Sequence, residues 1–209
     1  MLAEKIAEAL LEIKAVSIVD EQNLFTWVSG IKSPVYCDNR MTISHPKVRK
    51  MIAQGFAEKI RAQFPEVEVI AGTATAGIPH AAWVADILDL PMVYVRSGAK
   101  GHGKGKQIEG DFKIGSKVVL IEDLLSTGGS SINACDALVE EGAEVLGVLA
   151  IFSYNFPAVT EAFASKEISF DTLSDYKTLL PIAVAKKIVP EAQLETLLKW
   201  SQNPRIFTE

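Results

Sequence analysis

The chain has 209 residues and a net charge of −5, with 48% of residues hydrophobic and 22% charged, the balance of an ordinary globular protein. A chain of this length buries roughly 70% of its unfolded surface, so it needs no disulfide or metal to hold a core. The acidic balance argues against nucleic acid as the main partner, and no window reaches the ~18 continuous apolar residues of a membrane span.

The opening, MLAEKIAEALLEI, is amphipathic and too acidic for a secretory signal. It predicts a helix over 2–14 with Ile6, Ala9, Leu10 and Ile13 on one face. A turn-rich polar segment, WVSGIKSPVYCDNR, follows, and Pro46 opens a helix over about 46–63. His45, just before it, is expected to be a cap or surface residue. Cys37 and Cys135 fit no CxxC or metal-ligand spacing. Cys135 falls on the stripe Ile132, Cys135, Val139 and reads as a core thiol. Free thiols without a leader suit a cytoplasmic location.

Regular alternation then begins. Strands are expected at 67–72, 91–95, 117–121, 143–152 and 168–171, with helices over 78–88, 127–140 and 156–165 between them. The strands are apolar on both faces, the pattern of a mostly parallel sheet flanked by helices. The residues from Ser174 on read as two short helices split by Pro190. We expect one α/β domain over 1–209, its core at about 46–209, with a small N-terminal hood from about 1–45.

The segment VVLIEDLLSTGGSS, 118–131, carries the chemistry. An apolar strand delivers Glu122 and Asp123 to the carboxyl edge of the sheet, where ligands bind in open α/β folds. Ser126, Thr127, Gly128, Gly129 and Ser130 follow. Their amides and hydroxyls can converge on an anion at a helix start. The run lacks the lysine of a Walker A loop and is not GxGxxG. Two acids repel a triphosphate but accept the hydroxyls of a ribose whose 5-phosphate sits in the turn. They also favour positive charge developing on the ring. An ordinary βα connection needs neither acid pair nor glycine pair.

The run resembles the ribose-phosphate motif of the type I phosphoribosyltransferases, here spanning Glu122, Asp123, Leu124, Leu125, Ser126, Thr127, Gly128, Gly129 and Ser130. A second segment, RSGAKGHGKGKQIEG (96–110), places Arg96, Lys100, His102, Lys104 and Lys106 on a glycine-rich stretch, which reads as a lid for a polyanion. Its R-x3-K-x-H-G order resembles the catalytic loop of the orotate phosphoribosyltransferases. So does the SG-x-KSP core at Ser29, Gly30, Lys32, Ser33 and Pro34, and GTATAGIP (72–79) resembles the family's pyrophosphate loop. The length is that expected of a complete bacterial-type enzyme.

The chain departs from the family pattern at Val28 and Ser97, where relatives carry basic residues, and at Thr75 and Ala76, where a Tyr-Lys pair is common. FSYNFP (152–157) holds no arginine for the substrate carboxylate. Lys32, Tyr36 and Arg40, all in the substrate loop, are therefore the candidates for the base, with Arg40 or Lys32 supplying the missing charge.

The resemblance implies a fold of the type I phosphoribosyltransferase kind and transfer of a 5-phosphoribosyl group from phosphoribosyl pyrophosphate (PRPP) to orotate. It implies Mg²⁺ held mainly by the substrate and not by direct protein ligands. Lys100, Arg96, His102 and Asp123 become the catalytic candidates, and Ser126 a contact to the base. A homodimer with shared active sites is implied, and neither nucleic acid nor membrane is expected as a partner. His80, just after the pyrophosphate loop, is a weaker functional candidate. Another nucleobase as acceptor, or a PRPP-sensing regulator, would keep the acid-pair motif, and the loops at 25–40 and 96–106 favour orotate.

Overall fold

A computed structural model describes residues 1–27, 30–98 and 107–208. The chain opens with α1 (Leu2–Glu12), four short strands β1 (Val16–Ile18), β2 (Phe25–Thr26), β3 (Lys32–Ser33) and β4 (Val35–Cys37), and a 3-10 turn at Asn39–Ser44. From α2 (Pro46–Gln63) onward strand and helix alternate: β5 (Val69–Thr73), α3 (Gly77–Leu88), β6 (Met92–Val95), β7 (Ile108–Glu109), β8 (Lys117–Leu125), α4 (Gly129–Glu140), β9 (Glu144–Ser153), α5 (Pro157–Ala164) and β10 (Ser169–Asp175). The chain closes with α6 (Tyr176–Ala185), a 3-10 turn at Glu191–Gln193, and α7 (Leu194–Gln202).

Strands β5 to β10 form one sheet in the order β10-β9-β8-β5-β6-β7. Every pairing is parallel except β6 with the two-residue edge strand β7. Alternate residues of β8 divide between two cores, as a pleat of period two requires. Val119 and Ile121 join one with α1, α2, α3, α6 and α7, and Val118 and Leu120 join the other with α4 and α5. The expected parallel α/β sheet, covered on both faces, is thus observed. Cys135 is buried, as its stripe predicts, but Val139 on that stripe is 54% exposed.

Three of the boundaries that differ from those hydropathy predicts have a clear physical cause. Strand β8 continues through both acids to Leu125, because its ladder with β9 runs on through Glu122↔Ala150, Leu124↔Phe152 and Leu125↔Ser153. For the same reason β10 extends to Asp175, opposite Ser153. Helix α4 starts at Gly129 and not Thr127, because Gly128 has φ +81°, outside the right-handed helical region.

The N-terminal segment is built from two small antiparallel pairs, β1 with β4 and β2 with β3. It does not stand apart from the sheet. Ile6, Ala7 and Leu10 of α1 are fully buried in the larger core. Trp27 packs edge-on against Trp200 of α7 at 5.9 Å, and both contact Tyr154 and Phe156 at the end of β9. Aromatic pairs of this kind add stability beyond area burial. Trp200→Ala should therefore destabilise the fold by about 3–5 kcal/mol, read from denaturant unfolding. A loss below about 1 kcal/mol would show that this cluster does not tie hood, sheet and C-terminal helix together.

Candidate active site

The carboxyl ends of β5, β6, β8 and β9 share one edge of the sheet because these strands are parallel. Four features meet there: the acid pair, the turn at 126–128, the loop 74–76 and the stem of the basic loop.

The pleat alone would send Glu122 and Asp123 to opposite faces of β8. Glu122 instead folds back so that its Oε1 accepts from the Asp123 amide at 3.0 Å, and its Oε2 accepts from the Ser131 hydroxyl at 3.0 Å. Glu122 is only 4% exposed, whereas Asp123 is half-buried. Burial, reinforced by the neighbouring Asp123, pushes the Glu122 carboxyl up to about 8. Burial also raises Asp123, against the lowering influence of its hydrogen bond with Glu122 and of Arg40.

After Leu125 the chain turns through Ser126 and Thr127 into Gly128. A Cβ on Gly128 would stand 3.1 Å from the Phe163 ring, so both φ and space require glycine there. Among the described residues no side chain caps α4, which leaves the amides of its first turn and its dipole facing the site. The turn at 126–128, with Gly129 and Ser130, is where the sequence predicts that an anion sits. Leu125 can contribute only backbone, since its side chain lies in the core.

Across the site, α3 begins at Gly77, where an added Cβ would meet the Ile121 carbonyl at 2.5 Å. That contact seats the loop 74–76 against the acid strand. The Ala74–Thr75 peptide is cis, and the buried hydroxyl of Thr73 has no hydrogen-bond partner among the described residues. Arg96 follows β6 directly. Its amide donates to the Gln107 carbonyl at 2.9 Å and the Gln107 side chain donates back to the Arg96 carbonyl at 2.8 Å. Together they close the stem of the basic loop. The Arg96 guanidinium lies 3.6 Å from Glu109. Lys100, His102, Lys104 and Lys106 fall outside the described residues, as do Val28 and Ser29.

A cleft of about 500 Å³ opens beside the turn, lined by Phe25, Thr26, Trp27, Tyr36, Cys37, Leu124, Ser126 and Tyr154. Its aromatic side chains, Phe25, Trp27, Tyr36 and Tyr154, offer ring faces that suit a planar heterocycle. Two base candidates, Ser126 and Tyr36, line it. The other two do not. Lys32 is exposed on β3, its amide donating to the Thr208 hydroxyl. Arg40 grips Asp38 through two hydrogen bonds of 2.6 and 2.8 Å.

Sequence reasoning passed over three residues here. Tyr154 lies in FSYNFP, noted there only for its missing arginine, yet it forms cleft wall and accepts from the Cys37 amide. Ser131 binds Glu122, and Asn39 donates to the Asp123 carbonyl. Neither carries a motif signal, because each matters only through a partner distant in the chain. His80 is fully buried, beside Thr42, and burial holds its pKa down to about 4. His45 occupies the N-cap position of α2 without a side-chain cap bond.

The phosphoribosyl transferase domain family matches residues 42–167. An orotate phosphoribosyltransferase of Fusobacterium nucleatum is 57% identical over 204 residues, covering 97% of each chain. The chain belongs to the orotate phosphoribosyltransferase family. Among solved structures, the Leishmania donovani UMP synthase superposes with a TM-score of 0.81 at 27% identity, over 95% of this chain and 42% of that longer one. The orotate phosphoribosyltransferase of Aeropyrum pernix gives 0.76 at 28% identity, over 85% of this chain and 97% of its own. The fold of this chain is therefore the type I phosphoribosyltransferase fold.

The raised Glu122 carboxyl has a consequence for stability. Below its unfolded value of 4.5 the group is protonated in both states, and its stabilising contribution is complete. Between 4.5 and about 8 the unfolded chain releases the proton while the folded chain keeps it, so stability falls as pH rises. Asp123 acts in the same sense. Unfolding of the ligand-free protein should thus show lower stability at pH 8 than at pH 5.5, and Glu122→Gln should flatten that dependence. An unchanged pH slope in the variant would remove Glu122 as its source.

Proposed function

We propose that this chain transfers the 5-phosphoribosyl group from PRPP to N1 of orotate, releasing orotidine 5′-monophosphate and pyrophosphate, as a step of pyrimidine (UMP) biosynthesis. The observation that carries this reading is the meeting at Ser126 of two recognition elements. On one side lie the acid pair and the uncapped start of α4, and on the other the aromatic cleft.

The roles follow from position. Amides of Ser126 to Ser130 hold the 5-phosphate. Glu122 and Asp123 accept from the ribose hydroxyls and stabilise positive charge on the ring as the bond from C1′ to the pyrophosphate oxygen breaks. The electron pair leaves with pyrophosphate, N1 of the base bonds C1′, and the N1 proton passes to solvent. Arg96, with Lys100 and His102 from the basic loop, neutralises the departing pyrophosphate. Ser126 and Tyr36 meet the base, and its carboxylate takes charge from Lys32 or from Arg40 released by Asp38.

Phosphoribosyltransferases that use PRPP need a divalent metal. The acid pair offers oxygen donors only, at the open end of β8, which suits a hard cation such as Mg²⁺. Mg²⁺ would be held chiefly by the pyrophosphate and ribose hydroxyls of the substrate and would supply charge neutralisation there, while Glu122 and Asp123 would hold those hydroxyls.

We further propose that the enzyme is a cytoplasmic homodimer in which the basic loop of one protomer serves the site of the other. Among the described residues no helix is long and apolar enough to cross a membrane.

Absorbance-monitored consumption of orotate with PRPP and Mg²⁺ tests the reaction. Turnover with uracil, hypoxanthine or adenine but not orotate would reject orotate as the acceptor. Asp123→Asn should lower kcat by about 10²–10³. Mixed with inactive Lys100→Ala chains and recombined, it should regain activity in hybrid dimers. No recovery in verified hybrids would show that each site is built from one chain.

A further inference from the structure

Strand β8 carries the acids past the end of its neighbour. On the β9 side its ladder is complete to Leu125↔Ser153, but on the β5 side the last pair is Gly72↔Ile121. The backbone of Asp123 therefore stands at an open sheet edge, next to the reacting centre. A strand edge there has carbonyl groups to satisfy.

The structure fills that position with one side chain. Asn39, 1% exposed, donates its Nδ2 to the Asp123 carbonyl at 2.6 Å. Its Oδ1 accepts from the Cys37 thiol at 3.3 Å. The orientation of the amide is dictated by these partners, since the reverse would set two acceptor oxygens against each other. Cys37 in turn belongs to the wall of the aromatic cleft, where its amide donates to the Tyr154 hydroxyl at 3.0 Å. The backbone of Asn39 is held as well. Its carbonyl accepts from Thr42 Oγ1 at 2.6 Å, and that hydroxyl lies 3.2 Å from Nε2 of the buried His80 on α3.

We propose that Asn39 is a positioning residue for phosphoribosyl transfer. Its buried carboxamide ties the wall of the base cleft to the free edge of the acid-bearing strand, and so sets the distance between the base and the Asp123 carboxylate. The inference rests on the reaction proposed above. Asn39 touches neither substrate. It acts through the Asp123 backbone on one side and Cys37 on the other, and the 3-10 turn that carries it is anchored to α3 through Thr42. Removing the donor leaves the Asp123 carbonyl unsatisfied at a partly buried edge and lets the end of β8 drift. Small misplacements of reacting groups are costly in rate while leaving ground-state binding largely intact.

The test compares Asn39→Ala with Asn39→Asp, which keeps the volume and the acceptor facing Cys37 but removes the donor facing Asp123. Both should lower kcat by about 10- to 100-fold, with KM for orotate and for PRPP changed by less than about threefold. Both should still unfold cooperatively above the assay temperature. If folded Asn39→Asp keeps kcat within about twofold of the parent, the carboxamide donor does not position the acid. If the loss lies in KM, Asn39 belongs to binding, and if neither variant unfolds cooperatively, it is scaffold. Each of these results overturns the proposal. Absence of orotate turnover in the unaltered enzyme would instead reject the underlying reaction, so the two failures are distinguishable.

Discussion

Strand β8 is supported by β9 along its whole length but by β5 only as far as Ile121, and the two acids stand where that support ends. A strand that outruns its neighbour exposes a row of backbone groups, and here it does so while carrying two carboxyl groups that burial keeps from ionising freely. Much of the surrounding structure is arranged around that strand end. Gly77 lets the start of α3 close to within contact of the Ile121 carbonyl. Ser131, one turn into α4, holds Glu122, and Asn39 holds the backbone of Asp123.

The electrostatics and the geometry agree on what such a site awaits. The acid pair holds on to a proton, because burial of Glu122 beside the half-buried Asp123 disfavours two adjacent negative charges. Hydroxyl donors and a divalent cation relieve the same repulsion from outside. The first turn of α4 offers amides and the positive end of a dipole on the other side of Ser126. A ligand with hydroxyls near one end and a phosphate at the other satisfies both halves of the site at once.

The aromatic cleft beside Ser126 has a different origin. Its walls come from hood and sheet together, and it is stiffened from behind by Trp200, which contacts Trp27, Tyr154, Phe156 and Tyr176. Tyr154 stacks on Phe156 with rings 5.4 Å apart and nearly parallel. The C-terminal helix therefore shapes a cleft to which, among the described residues, it contributes no lining side chain. Arg40 illustrates the complementary point. Its type and place in the substrate loop suggest an anion contact, but Asp38, two residues earlier, already occupies its guanidinium in the folded chain.

Local order in the sequence determined the fold class and the glycine turn that follows the acid pair. Apolar runs at strand spacing dictate a parallel sheet, and a tight turn is made of consecutive residues, so Ser126 to Ser130 are legible in their own order. Tertiary structure alone decided where β8 ends, because the ladder to β9 and not hydropathy carries it to Leu125. It alone also chose the partners of Glu122, Asp123 and Cys37. Hydrogen bonds such as Asn39 to Asp123 join residues 84 positions apart, and Cys37 meets Tyr154 across 117. Contacts at those separations leave no periodicity, since they depend on how hood and sheet come together.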